Sequence, residues 1–263
     1  MADVFKLALG AGHRRETAGK RLPKELDPNE TREWELNDRI ADKVELKLSD
    51  YEGIQILRVD DTEGVQDVTL AQRVEAANQY GADLALAIHH NAAGRVFSGG
   101  GIVVYRAPGK ADADNVAWQE ELYAALIKRT GLKGNRADPM AESALYMLRY
   151  TKMRAILLEL GFMDSTVDAP IILTEEYAEA CATAIVEVIV KRAGLKKKQI
   201  GNPVAAHTVN VYRTLYDVPV WYQSTIQKLM DAGALKGVDE HGTINVDETY
   251  CRVMTTLDRL GKI

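Results

Sequence analysis

Leu84-Ala85-Leu86-Ala87-Ile88-His89-His90-Asn91 is an aliphatic run that ends abruptly in two imidazoles and an amide. Taken in steps of two, one row is Ala85, Ala87, His89 and Asn91, and the other is Leu84, Leu86, Ile88 and His90. Successive side chains of a strand point to opposite faces. The bulky row therefore reads as covered by a helix, and the small row leaves space near the strand end. A second run, Ile156-Leu157-Leu158-Glu159-Leu160-Gly161-Phe162, is apolar on both rows apart from one carboxylate. Short runs that are apolar on both faces belong to a sheet buried on both sides, the mark of parallel β-structure.

Working outward, Val4 to Leu9, Ile54 to Val59 and Gly101 to Arg106 are further short aliphatic runs bounded by Gly, Asp or Asn. Between the runs lie amphipathic segments. In Arg32 to Asp50, Leu36, Ile40, Val44 and Leu48 recur every four residues and form one helix face. Val68 to Tyr80, Asn115 to Thr130 and Glu175 to Ala193 follow the same rule. Strands alternating with helices predict an α/β fold: a twisted, largely parallel sheet with helices on both faces. Sites in such sheets sit beyond the carboxyl ends of the strands.

The pattern stops after Ala193. Lys191, Arg192, Lys196, Lys197 and Lys198 make a basic run, followed by Gly201, Asn202 and Pro203. A solvated helix end and a linker account for this run, since cations suit a helix C-terminus. The expected domains are 1–194, a linker at 195–206, and a small, mainly helical module at 207–263. The module is predicted to hold a strand over Val209 to Leu215 and a helix from Pro219, with Tyr222, Ile226, Leu229 and Met230 on its apolar face and Gly233 as C-cap. Asn245 and Glu248 resemble a capping box for a last helix carrying Tyr250, Val253, Met254, Leu257 and Leu260. So small a unit has a marginal core, so it is expected to dock on something or to self-associate as a homo-oligomer.

Composition removes several function classes. Hydrophobic residues are 46% and charged residues 27% of 263, which is globular rather than disordered. The net charge of −5 argues against a nucleic-acid partner, which would favour a basic chain. No apolar run approaches the roughly 18 residues of a membrane span. Cys181 and Cys251, far apart, make neither a disulfide framework nor a cysteine metal cage, so a metal would need His, Asp or Glu. No charged leader precedes Val4 to Leu9, so the chain is expected to be cytoplasmic on synthesis.

Four residue types at strand ends and a helix start carry the chemistry. His13 follows Leu9-Gly10-Ala11-Gly12, glycines that would let the backbone turn sharply after the first strand. His89 and His90 end another strand, Glu33 opens the first long helix, and Glu159 interrupts an apolar strand. Each alone has a plain alternative. His13 could be a turn residue, and Glu33 a surface carboxylate favoured by the helix dipole. Glu159 could sit in a buried salt bridge to Arg58 or Arg154. Together, two histidines and a glutamate are a standard set for catalytic zinc, with one position left for water. A further carboxylate is what such a hydrolase needs to take the proton from that water.

These residues stand within a longer resemblance. Gly10-Ala11-Gly12-His13, Glu33 with Asn37, Arg58 with Val59 and Asp61, Leu70 with Arg73, Ala77 and Asn78, Ala87 to Ala92, and Leu157, Glu159, Leu160, Gly161 and Phe162 occur in that order. Over about residues 4 to 190 the chain resembles the zinc-dependent N-acetylmuramoyl-L-alanine amidases of the autolysin and phage-lysin type. The resemblance implies zinc (Zn2+) held by His13, Glu33 and His89, with Glu159 as the catalytic carboxylate. It further implies hydrolysis of the amide between N-acetylmuramic acid and L-alanine of peptidoglycan. Arg73 and Asn78 match positions with a structural reading. The chain departs from the family's pattern at Gly10, usually aspartate, at Arg14-Arg15, usually Gly-Gly, and at Ala87, usually serine.

The C-terminal stretch Asp217-Val218-Pro219 with Trp221-Tyr222, then Gly237 to Asn245, looks like one S-layer-homology repeat, which implies anchoring to a wall polymer. Plain core packing of those aromatics is the alternative. With no leader, a phage or prophage endolysin acting on the wall after release is expected over a host autolysin. Two other classes stay open, a zinc carboxypeptidase cutting within the stem peptide and a wall-binding protein without activity. A muramidase would need paired carboxylates around a glycosidic bond.

Overall fold

The computed structural model describes residues 4–109, 113–198, 211–218, 220–235, 246–259 and 261. The chain divides into two compact units, Met1–Lys198 and Gln199–Ile263. In the first, the elements run β1 (Phe5–Ala11), α1 (Glu33–Leu48), β2 (Tyr51–Glu52), β3 (Ile54–Arg58), α2 (Leu70–Tyr80), β4 (Leu84–Asn91) and β5 (Ile102–Arg106). They continue with α3 (Ala113–Thr130), β6 (Met140–Glu142), α4 (Tyr146–Tyr150), β7 (Arg154–Phe162), α5 (Ala169–Ile172), α6 (Glu175–Ala193) and β8 (Lys196–Lys197).

Six strands form one sheet in the order β3-β1-β4-β7-β5-β6. All neighbours are parallel except β5, which runs antiparallel to β7. The alternating rows of the strands divide the sheet into two unlike faces. Leu7, Leu9, Leu84, Leu86, Ile88, Ile156, Leu158 and Leu160 pack with buried residues of α1, α3 and α6, among them Ile40, Val44, Leu122 and Ile185. The other face is lined by Ala8, Ala85, Ala87, Ala155 and Leu157 and is covered by Val74 and Ala77 of α2 and Met147 and Leu148 of α4. Leu36, Ile40, Val44 and Leu48 are all at most 1% exposed, as their spacing predicts.

Local signals set the helix ends. Thr69 accepts the backbone N–H of Gln72, whose side-chain oxygen accepts the N–H of Thr69, a reciprocal cap that starts α2. Thr174 accepts the Tyr177 N–H at the start of α6, a one-sided cap. Such caps are typically worth about 1 kcal/mol each. Gly194 closes α6 in the left-handed region at φ 62°.

One expectation changes here. Residues 195–198 are not linker: β8 pairs antiparallel with β2, and Lys198 N–H donates to Asp50 O, so the first unit continues to Lys198. The basic run is solvated as expected, with Lys191, Lys196, Lys197 and Lys198 exposed and only Arg192 half-buried. Arg192 bonds Glu121 and Asp114 and lies over the Trp118 ring, and Lys191 bonds Glu121. The sequence reading omits β2, β6 and β8, of two or three residues, and α4 and α5, of five and four, because each spans little more than one period of its own structure.

In the second unit β9 (Val211–Tyr212) pairs antiparallel with β10 (Val246–Asp247), and α7 (Val220–Asp231) and α8 (Glu248–Arg259) follow the expected helices. Its core is Val218, Ile226, Leu229, Val246 and Cys251, with Tyr222, Met230, Tyr250 and Met254 packed against it. The strand is shorter than expected, since Leu215 already lies in a 3-10 turn. Gly233 takes φ 70° just after α7, as a C-cap glycine does. Val253 is 49% exposed rather than core, and Cys251 fills the buried position on α8. Gly201 to Pro203, His207, Pro219, Gly237 to Asn245, His241 and Leu260 lie outside the described residues, as does the Trp221 side chain. No helix of the described residues is long and apolar enough to cross a membrane.

Candidate metal centre

The centre lies at the carboxyl edge of the sheet, where β1, β4 and β7 end and α1 begins. Gly12 N–H donates to Ile88 O at 2.8 Å and ties the end of β1 to β4. A Cβ at Gly12 would fall 2.1 Å from His89 Cε1. Glycine is needed there for close approach of the His89 ring, not for the sharp turn expected from the sequence. The left-handed backbone falls instead on His13, at φ 67°. A non-glycine residue held there costs of order 1–3 kcal/mol, and surrounding contacts must over-determine it.

Glu33, the first residue of α1, carries a carboxylate with 1% exposure. Its Oε2 lies 3.2 Å from His13 Nε2 and 3.4 Å from Lys20 Nζ, and its Oε1 lies 3.1 Å from His89 Nδ1. The two imidazoles meet edge to face, with centroids 5.0 Å apart. One donor atom from each of His13, Glu33 and His89 lies within 4.8 Å of the others, and this is the one such cluster among the described residues. Burial alone would raise the Glu33 carboxyl. Hydrogen bonds from His13 and His89, and their charge, outweigh burial and hold it far below the usual carboxylate range. Burial lowers His89 despite the facing carboxylate, so its lone pair is available near neutral pH.

The adjacent histidine points the other way. His90 is 2% exposed, and its Nδ1 is 2.8 Å from Asn37 Oδ1. Burial pushes it down to about 3, so it stays neutral. Asn37, one turn into α1 from Glu33, donates to Gly12 O at 3.1 Å.

Glu159 of β7 is in register with His89 of β4 on one side and Val103 of β5 on the other. Parallel partners share a face, so Glu159 and His89 emerge on the same side of the sheet. Neither salt bridge of the alternative reading forms. Arg58 pairs with Asp38, Asp42 and Asp60, and Arg154 with Asp114. Glu159 Oε2 is buried without a hydrogen-bond partner among the described residues. Burial, reinforced by the charge of Glu33 and opposed by Lys20, pushes its carboxyl up to about 8. A buried carboxylate kept unpaired costs stability, and such groups concentrate at functional sites.

A cavity of about 420 Å³ opens beside His13 and His89 on the small-residue face. Ala87 and Gly12 lie along it, Met147, Val68 and Leu70 supply apolar walls, and Arg14, Glu16, Thr17 and Asp67 line its polar part. The sequence reading misses Lys20 and Met147. A lysine in a polar loop and a methionine on a five-residue helix carry no periodic or motif signal. Asn78, read as structural, fastens the end of α4 by bonding Tyr150 O and Lys152 N–H.

Fold and site together define a mixed α/β protein with a His-Glu-His cluster and an unpaired carboxylate at the sheet edge. The family profile described as N-acetylmuramoyl-L-alanine amidase matches residues 7–191, and the chain belongs to that family. It is 30% identical over 166 residues to the N-acetylmuramoyl-L-alanine amidase CwlM of Bacillus licheniformis, covering 62% of this chain and 59% of that protein. It is 31% identical over 152 residues to the sporulation-specific N-acetylmuramoyl-L-alanine amidase of Bacillus subtilis, covering 57% and 54%. The chain thus spans under two thirds of the length of these two relatives. The catalytic domain of the amidase CwlV from Bacillus (Paenibacillus) polymyxa shares the fold, with TM-score 0.63, 22% identity, and coverage of 73% of this chain and 100% of that one. An amidase from Clostridium difficile 630 does so with TM-score 0.64, 23% identity, and coverage of 73% and 98%.

Proposed function

We propose that this chain hydrolyses the amide joining N-acetylmuramic acid to L-alanine in peptidoglycan, with zinc held by His13, Glu33 and His89. One observation carries the reading: three donors of zinc-type chemistry converge within 4.8 Å, on the face where the unpaired Glu159 emerges. The donor set fits a zinc ion. It offers two imidazoles and one carboxylate, the carboxylate is held ionised, and at least one imidazole is held neutral. When bound, zinc supplies Lewis acidity, polarising a carbonyl and lowering the pKa of water to about 7.

The chain's own residues do the rest. The cavity beside His13 and His89 receives the substrate, its small floor at Ala87 leaving room for a sugar or peptide unit. Glu159 takes the proton from the attacking water and returns it to the leaving nitrogen of L-alanine. Its burial and raised carboxyl suit both roles, because a cation held nearby favours the ionised form while the desolvated site favours giving the proton on. The products are the lactyl carboxylate on the glycan and the free amine of the stem peptide.

Digestion of purified peptidoglycan with identification of the new chain ends tests this reading. New N-terminal L-alanine is expected, and release of any other amine would favour a peptidase instead. Chelation is expected to abolish hydrolysis and leave the fold intact, since the first unit buries a large core without a metal staple. Full activity of protein kept metal-free in chelator would end the zinc reading.

The second unit is proposed to hold the enzyme to a wall polymer, a reading supported by the Asp217-Val218-Pro219 and Trp221-Tyr222 stretch. A chain ending at Lys198 is expected to hydrolyse soluble fragments normally and to lyse whole cells less well, because losing an anchor lowers the effective concentration at the substrate. Equal lysis of intact cells by both forms would assign the unit to assembly or stability. The lysin role remains part of this proposal, and comparing lysis from outside with lysis after membrane breach tests it.

A further inference from the structure

We infer that Arg73 and Asn37 are positioning residues that clamp three consecutive carbonyls, those of Ala11, Gly12 and His13, and so set the affinity of the metal centre. The inference rests on the zinc reading above. Arg73 enters from α2 on one face of the sheet and Asn37 from α1 on the other. The Arg73 fork donates from Nη1 to Ala11 O and from Nη2 to His13 O at 2.9 Å, and its Nε donates to Val68 O at 2.9 Å. Asn37 Nδ2 donates to Gly12 O at 3.1 Å and lies 3.4 Å from Glu33 Oε1.

An arginine only 7% exposed is expected to face a carboxylate. Among the described residues none lies within ion-pair distance of Arg73, and all its assigned bonds go to main-chain oxygens. Gly10 shows why. A Cβ there would lie 2.8 Å from Val59 Cγ2, 3.8 Å from Arg73 Nη1 and 3.9 Å from Asp60 Oδ1, so Val59 fills the space a side chain at position 10 would use, and the carboxylate on that side, Asp60, is bonded to Arg58 instead. The charge is committed to the loop that carries His13. An external hold suits that loop, because His13 sits at φ 67°, a region uncommon for residues with a Cβ. Only a planar fork reaches two carbonyls on either side of Gly12 at once. A lysine ammonium is a point donor and cannot hold both.

Asn37 completes the clamp and joins it to Glu33. His90 fixes the amide, since its Nδ1 faces Asn37 Oδ1 and leaves Nδ2 to donate toward Gly12 O.

Zinc affinity by competition with a chromophoric chelator, together with thermal unfolding of the metal-free protein, tests the clamp. Arg73→Lys and Asn37→Ala are each expected to weaken zinc binding about 10–100-fold, the usual cost of losing a partner that orients a ligand. The metal-free unfolding transition should remain cooperative. Cobalt(II) loaded in place of zinc should show an altered visible spectrum in Arg73→Lys, reporting changed ligand geometry. Where Arg73→Lys fails to fold, Asn37→Ala decides. Zinc affinity within twofold of the unmodified chain and an unchanged cobalt spectrum in the folded variants would overturn the clamp. Failure of the unmodified chain to bind one zinc would refute the metal reading beneath it, a result distinct from unchanged affinity in the variants.

Discussion

Glu159→Gln is expected to keep one zinc per chain and to lose about 10²–10⁴-fold in turnover, the usual contribution of a general base. The amide is nearly isosteric with the carboxyl, so the register with His89 and Val103 is kept. What is lost is the capacity to accept a proton. Stability should rise slightly or stay level, because the substitution removes a desolvated ionisable group with no ion-pair partner among the described residues. That opposite movement of stability and turnover separates a catalytic carboxylate from a structural one. Peptidoglycan hydrolysis at near-normal rate by Glu159→Gln would reduce Glu159 to a buried structural group.

The adjacent histidines are expected to part company completely. His89→Ala should release zinc and abolish hydrolysis, because it removes one of the three converging donors. His90→Ala should retain zinc, since its ring lies on the opposite side of β4. Its cost should appear as stability, about 1–3 kcal/mol for leaving Asn37 Oδ1 buried without its partner. Zinc content and thermal unfolding of the two purified variants measure both effects. Zinc lost from His90→Ala and kept by His89→Ala would mean that the strand is read one residue out of register.

That register shows how far composition and pattern reach. The alternation of small and bulky residues from Leu84 to His90 already assigns His89 to the open face, and the structure places Ala85 and Ala87 against α2 and α4 and Leu84, Leu86 and Ile88 against α1, α3 and α6. A period of two over seven residues is a strong signal, because a slip of one would bury the wrong row. The four long helices and the five longer strands of the first unit were legible for the same reason. The strands of two or three residues and the helices of five or fewer were not, nor was the pairing of Lys196–Lys197 with Tyr51–Glu52, which turns the start of an apparent linker into part of the first unit.

Within the site, residue types were legible and partners were not. Glu159 stands out in its strand by polarity alone, yet sequence left it a choice between catalysis and a salt bridge to Arg58 or Arg154. Only the tertiary structure removes the salt bridge, by committing Arg58 to Asp38, Asp42 and Asp60 and Arg154 to Asp114. Likewise the glycines before His13 suggest a turn, whereas the strained backbone falls on His13 and Gly12 is small because the His89 ring lies against it. By itself the sequence determined the layers, the buried rows and the candidate donors, because periodicity and polarity are properties of neighbouring residues. The tertiary structure decided which charges neutralise one another, which backbone is held under strain and by what, since those depend on groups tens of residues apart that meet only when the sheet closes.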